Sequence, residues 1–307
     1  MDGVLVVDKP RGWTSHDVVH RIRRISKERR VGHAGTLDPL ATGVLPVLMG
    51  KATKVSRYLM GHDKVYDVEM HLGVTTDTLD AEGEVLEECA LALEQEDLLQ
   101  ALQPFRGTIK QIPPMYSARK VGGKKLYELA RQGKVIEREA REVQIYDLQL
   151  LSFALPRSIL RVRCSSGTYI RTLVDDIGRA LGCGAHVSAL RRLEVGPFSL
   201  DQALQMQIIE ESGDPLEPLL LKLHDALDSL PEISLSGELA QMVACGHQLR
   251  IADVQNLILP QFARDDAILL KNMEGNALAV VRALMSVNDV QAGEELEQAL
   301  KTERVLV

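Results

Sequence analysis

The chain has 307 residues, 45% apolar and 26% charged, which is enough to bury a substantial core and predicts two domains. No stretch approaches the roughly 20 apolar residues of a membrane span, which excludes a helical membrane protein. The start, MDGVLVVDKP, is unlike a signal peptide, and Cys89, Cys164, Cys183 and Cys245 form no CxxC pair, so reduced thiols and a cytoplasmic location are expected.

GVLVVDKP predicts a first strand ended by Pro10. In TSHDVVHRIRRISKERR, Val18, Val19, Ile22 and Ile25 recur at helical spacing behind a Thr14 or Ser15 cap, which leaves the opposite face strongly basic. The loop RVGHAGTLDPLATGVLPV follows; VLPVLMG then predicts a strand and KATKVSRYLM a helix. KVYDVEMHLG alternates cleanly and puts Tyr66, Val68, Met70 and Leu72 on the buried side. Residues 94–103 predict a short acidic helix, and 107–142, rich in Gly, Lys and Arg, a projecting basic element.

VQIYDLQLLSFAL and SILRVRC predict an antiparallel pair. In SSGTYIRTLVDDIGRALG, Ile170, Leu173, Val174, Ile177 and Leu181 mark a helix with Arg171 in its first turn. IEESGDPLEP is the linker candidate and LEPLLLKLHDALDSL a helical stretch. From about Pro231 the segments AILLKN, ALAVVRALMS and RVLV predict a small β-rich appendage.

The formal charge of −7 conceals strong segregation. Residues 1–60 carry 11 Lys+Arg against 5 Asp+Glu, residues 104–142 carry 10 against 4, and residues 157–192 carry 7 against 2. Residues 61–103 and 201–307 are each at −11. Three basic segments that a fold can bring together are what a polyanion site needs, because phosphate affinity follows the local field, although charge alone fits an ordinary solvated surface equally well.

Familiar cofactor motifs are missing. GVLPVLMGKAT has six residues between its glycines and Ala52 after Lys51, unlike a phosphate loop, and GCGAHV lacks the third glycine of a dinucleotide fingerprint. His16 and His20 share a helix face as in zinc proteases, but Asp17 stands where the general-base Glu belongs and a third ligand is not evident. No metal and no cofactor are therefore expected. Asp38 stands out instead. Pro39 biases it to extended geometry, Gly32, Gly35 and Gly43 let the chain approach a ligand, and His33, Thr36 and Thr42 add donors.

GHAGTLDPLATGVLPV, together with GVLVVDKPRGWTSHDVV, KVYDVEMHLG, PPMYSARKVGGKKLYELARQG and CSSGTYIRTLVDDIGRALGCGAHVSALRRLEVG, resembles the bacterial tRNA pseudouridine-55 synthases of the TruB type over residues 3–200. That resemblance implies the pseudouridine synthase fold: an α+β domain around a mixed, largely antiparallel sheet, followed by a small β-rich, PUA-like C-terminal domain. The boundaries expected are 1–228, with 107–142 as an RNA-gripping insertion, and 229–307. The implied activity is isomerisation of uridine 55 in the T loop of tRNA, stand-alone and cofactor-free. The implied partner is the tRNA T stem-loop, with no obligate protein partner and no guide RNA. Two rivals are a guide-dependent box H/ACA synthase and a tRNA-folding chaperone without catalysis.

By the same resemblance, Asp38 is the catalytic aspartate, Arg171 the arginine paired with it, and Tyr66 the tyrosine that stacks on uracil and helps remove the C5 proton. His33 resembles the histidine that fills the space left by the flipped base, and Tyr169 and Leu190 resemble pocket-lining residues. Lys9 is grouped with substrate binding or support of the active-site backbone. Lys120, Lys124, Lys125 and Arg131 are expected to meet phosphates.

Overall fold

The computed structural model describes residues 1–116 and 136–307, together with the backbone of 120–121 and 124–125. The expected phosphate contact Arg131 lies outside the described residues. Of Lys120, Lys124 and Lys125 only the main chain is described, as two short strands paired antiparallel, Lys120 opposite Lys125.

In chain order the strands of the main sheet are β1 Gly3–Lys9, β2 Val31–His33, β3 Thr42–Met49 and β4 Lys64–Leu72. A hairpin of β5 Val74–Thr76 and β6 Val85–Glu88 forms its own two-stranded sheet. The main sheet continues through β7 Gly107–Gln111, past the short strands β8 Lys120–Val121 and β9 Lys124–Lys125, to β10 Arg141–Ala154 and β11 Arg157–Cys164. It ends with β12 Ala185–Val195, β13 Phe198–Ser199 and β14 Leu204–Gln205. The order across it is β14-β1-β3-β12-β4-β11-β10-β7, with β2 on β3 and β13 on β12. It is mixed and mostly antiparallel: β1 with β14 and β12 with β3 run parallel.

Alternation decides the faces. Leu5 and Val7 of β1 join Tyr66, Val68, Met70 and Leu72 of β4 in the main core, under the helices Ser15–Ser26 and Ile170–Ala180. Val4 and Val6 point the other way and pack with Leu269, Val280 and Leu306 of the C-terminal unit. That unit has a five-stranded sheet, ordered β15-β17-β18-β19-β16, with its own core. Its strands are β15 Glu232–Leu235, β16 Leu249–Arg250, β17 Ala267–Asn272, β18 Ala277–Ala283 and β19 Gln298–Val305.

Three expectations need correction. LEPLLLKLHDALDSL is not one helix: it makes only the short turns Glu217–Leu219 and Leu223–Ala226, and between them Leu221 bridges to Val4 beside β1. IEESGDPLEP is no loose linker, since Leu216 is buried in the main core. Its acids also close part of the basic helix face: Glu210 pairs with Arg21 and Asp214 with Lys27. KATKVSRYLM begins as a 3₁₀ turn, Gly50–Val55, and is α-helical only over Ser56–Met60.

Candidate functional site

Asp38 occupies the loop between β2 and β3, and that loop is fastened on both sides of it. Upstream, the buried Ser15 hydroxyl accepts from the Leu37 amide at 2.8 Å and donates to the Leu37 carbonyl at 3.2 Å. Thr14, with Asp17 completing a capping box, caps the helix and so frees Ser15 for this role. Downstream, the Pro39 carbonyl accepts from the Gly12 amide at 2.8 Å and from Lys9 Nζ at 3.4 Å. Leu37, Leu40 and Ala41 anchor the loop in the core. The carboxylate is thus held by its neighbours' backbone and remains 38% exposed to the cleft.

Arg171 reaches it from the first turn of helix Ile170–Ala180. A cation there opposes the helix dipole, and the side chain is buried, so it needs strong partners. It has four: Asp38 Oδ2 at 3.0 Å and Asp80 Oδ2 at 3.2 Å accept ion pairs, and the Thr78 and Tyr116 carbonyls accept at 2.9 and 2.8 Å. Asp80 is itself fixed, its Oδ1 accepting from the Thr78 hydroxyl at 2.7 Å and from the Glu82 amide at 3.1 Å. Burial pushes the Asp38 carboxyl above the usual carboxylate range; Arg171 pulls it down and Asp80 pushes it up further. Arg171 therefore restrains the rise and aims the group, while burial outweighs it.

The cleft beside Asp38 is a cavity of about 300 Å³, at the lower end of small-molecule pockets. Tyr66, Tyr169, Arg171, Leu190, Arg192 and Lys64 contribute to its wall. Asp38, Tyr66, Arg171, Tyr169 and Leu190, all singled out in the sequence, are thus brought to one place. Tyr66 is buried, which raises its phenol above the ordinary value, with Arg192 acting in the opposite sense. Tyr169 is held by an amide pair with the buried Gln111, donating its N–H at 3.0 Å and accepting at 3.3 Å.

His33 and Lys9 do not line this cavity. The His33 ring meets His16 edge-on at 5.5 Å, its Nδ1 is buried without a partner, and burial lowers its pKa to about 4. Lys9 is fully buried, and its Nζ donates to the carbonyls of Pro10, Trp13 and Pro39. Burial lowers it to about 8. That geometry matches support of the active-site backbone, one of the two roles expected of Lys9.

Lys64, Asp80, Ser15, Gln111 and Arg192 of the site were not singled out in the sequence. Asp80 sits in an acid-rich turn, TTDTLDAEG, that looks solvated; Ser15 looked like a cap; Gln111 carried no signal. Arg192 had a signal, being in phase with Leu190 on the inward face of β12, but bulges in that strand blur the alternation. Among the described residues no group of three or more His, Cys, Asp or Glu is placed to hold a metal ion, and no helix is long and apolar enough to cross a membrane.

Residues 23–170 match the model of the TruB family pseudouridylate synthase N-terminal domain, and 171–228 that of the tRNA pseudouridylate synthase B C-terminal domain. The second stretch supplies β12 to β14 of the main sheet, so it is distinct from the five-stranded unit that follows it. The tRNA pseudouridine synthase B of Pseudomonas aeruginosa (strain UCBPP-PA14) is 49% identical over 255 residues, 81% of this chain and 84% of the relative. That of Haemophilus influenzae (strain KW20 Rd) is 45% identical over 262 residues, 84% of each. Among solved structures, a Cbf5-Nop10-Gar1 complex aligns with 99% of this chain and 85% of the matched chain at TM-score 0.80 and 27% identity. An H/ACA RNP bound to a substrate RNA containing 2'-deoxyuridine aligns over the same shares at TM-score 0.78 and 26% identity.

Proposed function

The chain belongs to the TruB family of pseudouridylate synthases, and from that premise we propose that it converts uridine 55 in the T loop of tRNA to pseudouridine, alone and without a cofactor. It has the pseudouridine synthase fold with a PUA-like C-terminal unit. We assign residues 1–228, with the 107–142 insertion, to the synthase and 229–307 to the appendage.

The observation that carries the reading is the Asp38–Arg171 pair at 3.0 Å on the rim of a cavity that also presents Tyr66. Pseudouridine formation breaks the N1–C1′ bond, turns the base and joins C5 to C1′; nothing is oxidised and no group is gained. A carboxylate so placed can attack C1′ or C6, or stabilise an oxocarbenium-like sugar. Each route needs it ionised and aimed, which is the service of Arg171. The target base is stacked within a folded RNA loop, so it must be flipped out to enter. Leu190 and Tyr169 then offer apolar and aromatic walls, and Tyr66 a face and a hydroxyl.

The structural likeness to chains of the Cbf5-Nop10-Gar1 complex and of the H/ACA RNP favours, by itself, a guide-dependent enzyme equally well. Identity of 45–49% with proteins named tRNA pseudouridine synthase B, against 27% with the matched chain of the Cbf5-Nop10-Gar1 complex, supports the stand-alone reading. The test is site-resolved pseudouridine mapping on unmodified tRNA transcripts incubated with the purified protein alone. Modification at position 55 is expected; modification only after a guide RNA is supplied would establish the rival.

A further inference from the structure

Arg192 lies opposite Tyr66 in the β4–β12 ladder, so the two side chains rise from the same face of the sheet into the cavity that holds Asp38. At 1% exposure its guanidinium depends on protein groups for its hydrogen bonds. Nε donates to the Val44 carbonyl at 2.7 Å, Nη2 to Gly35 at 3.1 Å and Nη1 to Thr36 at 3.4 Å. A guanidinium has five N–H groups, so one on each terminal nitrogen is left over. The approach of this strand to β3 is close enough that a Cβ on Gly43, at φ +100°, would lie 2.1 Å from the Arg192 carbonyl oxygen. The guanidinium is therefore fixed at both ends: its stem by Gly43 and Val44, its fork by the chain that leads into Asp38.

The geometry points to Arg192 as the positioning residue that readies Tyr66 to take the C5 proton, while the same fork sets the backbone two and three residues ahead of Asp38. The inference rests on the synthase reading. Once C5 has bonded to C1′ it carries one hydrogen too many. With the Tyr66 hydroxyl proton already lost to solvent, the C5–H bond breaks, the proton passes to the phenolate oxygen, and the electron pair restores the C5–C6 double bond while N1 takes a proton from solvent, so the atoms and charges balance. A buried phenol is a poor proton acceptor because its ionised form is desolvated. A fixed cation on the adjacent strand offsets that penalty, and a guanidinium does so without competing for the proton, since it stays charged.

The test is the single-turnover rate of pseudouridine formation at saturating tRNA, measured against pH for the wild type and for Arg192→Lys, Tyr66→Phe and the double variant. Arg192→Lys is expected to slow the chemical step about 10- to 100-fold, keep tRNA affinity within about threefold, and move the upper limb that rises with pH, set by Tyr66 ionisation and distinct from the acid limb of Asp38, to higher pH. In the Tyr66→Phe background it is expected to slow the reaction much less, because the group it serves is gone. An equal slowing in both backgrounds, or an unmoved limb, overturns the proposal and leaves Arg192 a structural brace. If Arg192→Lys does not fold, 3-fluorotyrosine placed at position 66 of the otherwise native chain takes its place: its more acidic phenol must move the same limb to lower pH, and an unmoved limb overturns the proposal. Failure of the synthase reading would look different, since the wild type would then make no pseudouridine.

Discussion

Asp38 and Arg171 meet at 3.0 Å although they come from a loop and a helix 133 positions apart, and the pair is closed on its far side by Asp80 at 3.2 Å from the same guanidinium. One cation between two carboxylates, one open to the cleft and the other buried, is an arrangement in which the buried acid fixes the arginine and the arginine aims the exposed acid.

Asp38→Asn is expected to abolish pseudouridine formation while tRNA affinity stays within about tenfold, or roughly 1.4 kcal/mol, because it removes a reactive group and little contact area. It should also stabilise the fold slightly. Burial raises the folded carboxyl above its unfolded value, so the folded state holds the proton more readily. The stability penalty is absent below the unfolded pKa and builds as pH rises toward the folded one. The side chain is 38% exposed, which keeps the effect small. A small gain in Tm at neutral pH, vanishing in acid, is the expected melt; a loss at neutral pH would contradict it.

Asp80→Asn leaves Arg171 with one anionic partner. A loosened guanidinium should cost about 10- to 100-fold in single-turnover rate with little change in tRNA affinity. Asp80 also contributes to the raised pKa of Asp38, so its neutralisation should move the acid limb of the rate profile to lower pH. A variant that merely unsettles the fold would lower the rate without that displacement.

Ser15→Ala tests the fastening of the loop. It deprives both the N–H and the carbonyl of Leu37 of their partner. Leaving buried backbone groups unpaired costs about 1–3 kcal/mol, which for a chain of this size lowers Tm by several degrees. Loss of catalysis should exceed the loss of stability, since Leu37 immediately precedes Asp38. Wild-type turnover in a destabilised variant would show that the loop keeps its shape without Ser15.

Local pattern carried much of this. The strict alternation of KVYDVEMHLG placed Tyr66 inward, and the spacing from Ile170 to Ile177 placed Arg171 in a helical first turn; both hold. The linker and helix drawn after Ile209 failed because tertiary contacts decide there: Leu221 pairs with β1 and Leu216 joins the main core. Asp80 could not be read at all. Its place beside Arg171 is set by a hairpin, β5–β6, that reads as an acidic, solvated stretch until it is folded against β12 through the Asp80–Val187 bridge.

Charge segregation predicts steep salt dependence. Log affinity for tRNA should fall with log salt by about 0.7 to 0.9 per phosphate neutralised, and Lys124→Ala with Lys125→Ala should flatten the slope by about one to two units while the saturated chemical step stays nearly unchanged. The first basic segment contributes less than its sequence implies, because Arg21 is paired with Glu210. Arg21→Ala should change the slope by less than about half a unit. A larger change would mean that the ion pair opens to tRNA.

The C-terminal unit should matter for stability more than for phosphate binding. Deleting residues from 231 onward would strip Leu269, Val280 and Leu306 from Val4, Val6, Val44 and Leu48, and would remove Glu303, which receives Arg57 and the Tyr58 hydroxyl of the synthase body. The truncated chain should therefore melt well below the full one or aggregate, so its RNA affinity says little about contact. Exposed charges give the cleaner measurement. Arg264 and Lys301 are on the surface of a segment at −11, where the field opposes a polyanion. Arg264→Ala with Lys301→Ala should leave both the melt and the salt slope unchanged. If that pair flattens the slope more than Lys124→Ala with Lys125→Ala does, the appendage is the main grip on tRNA and the local-field argument fails.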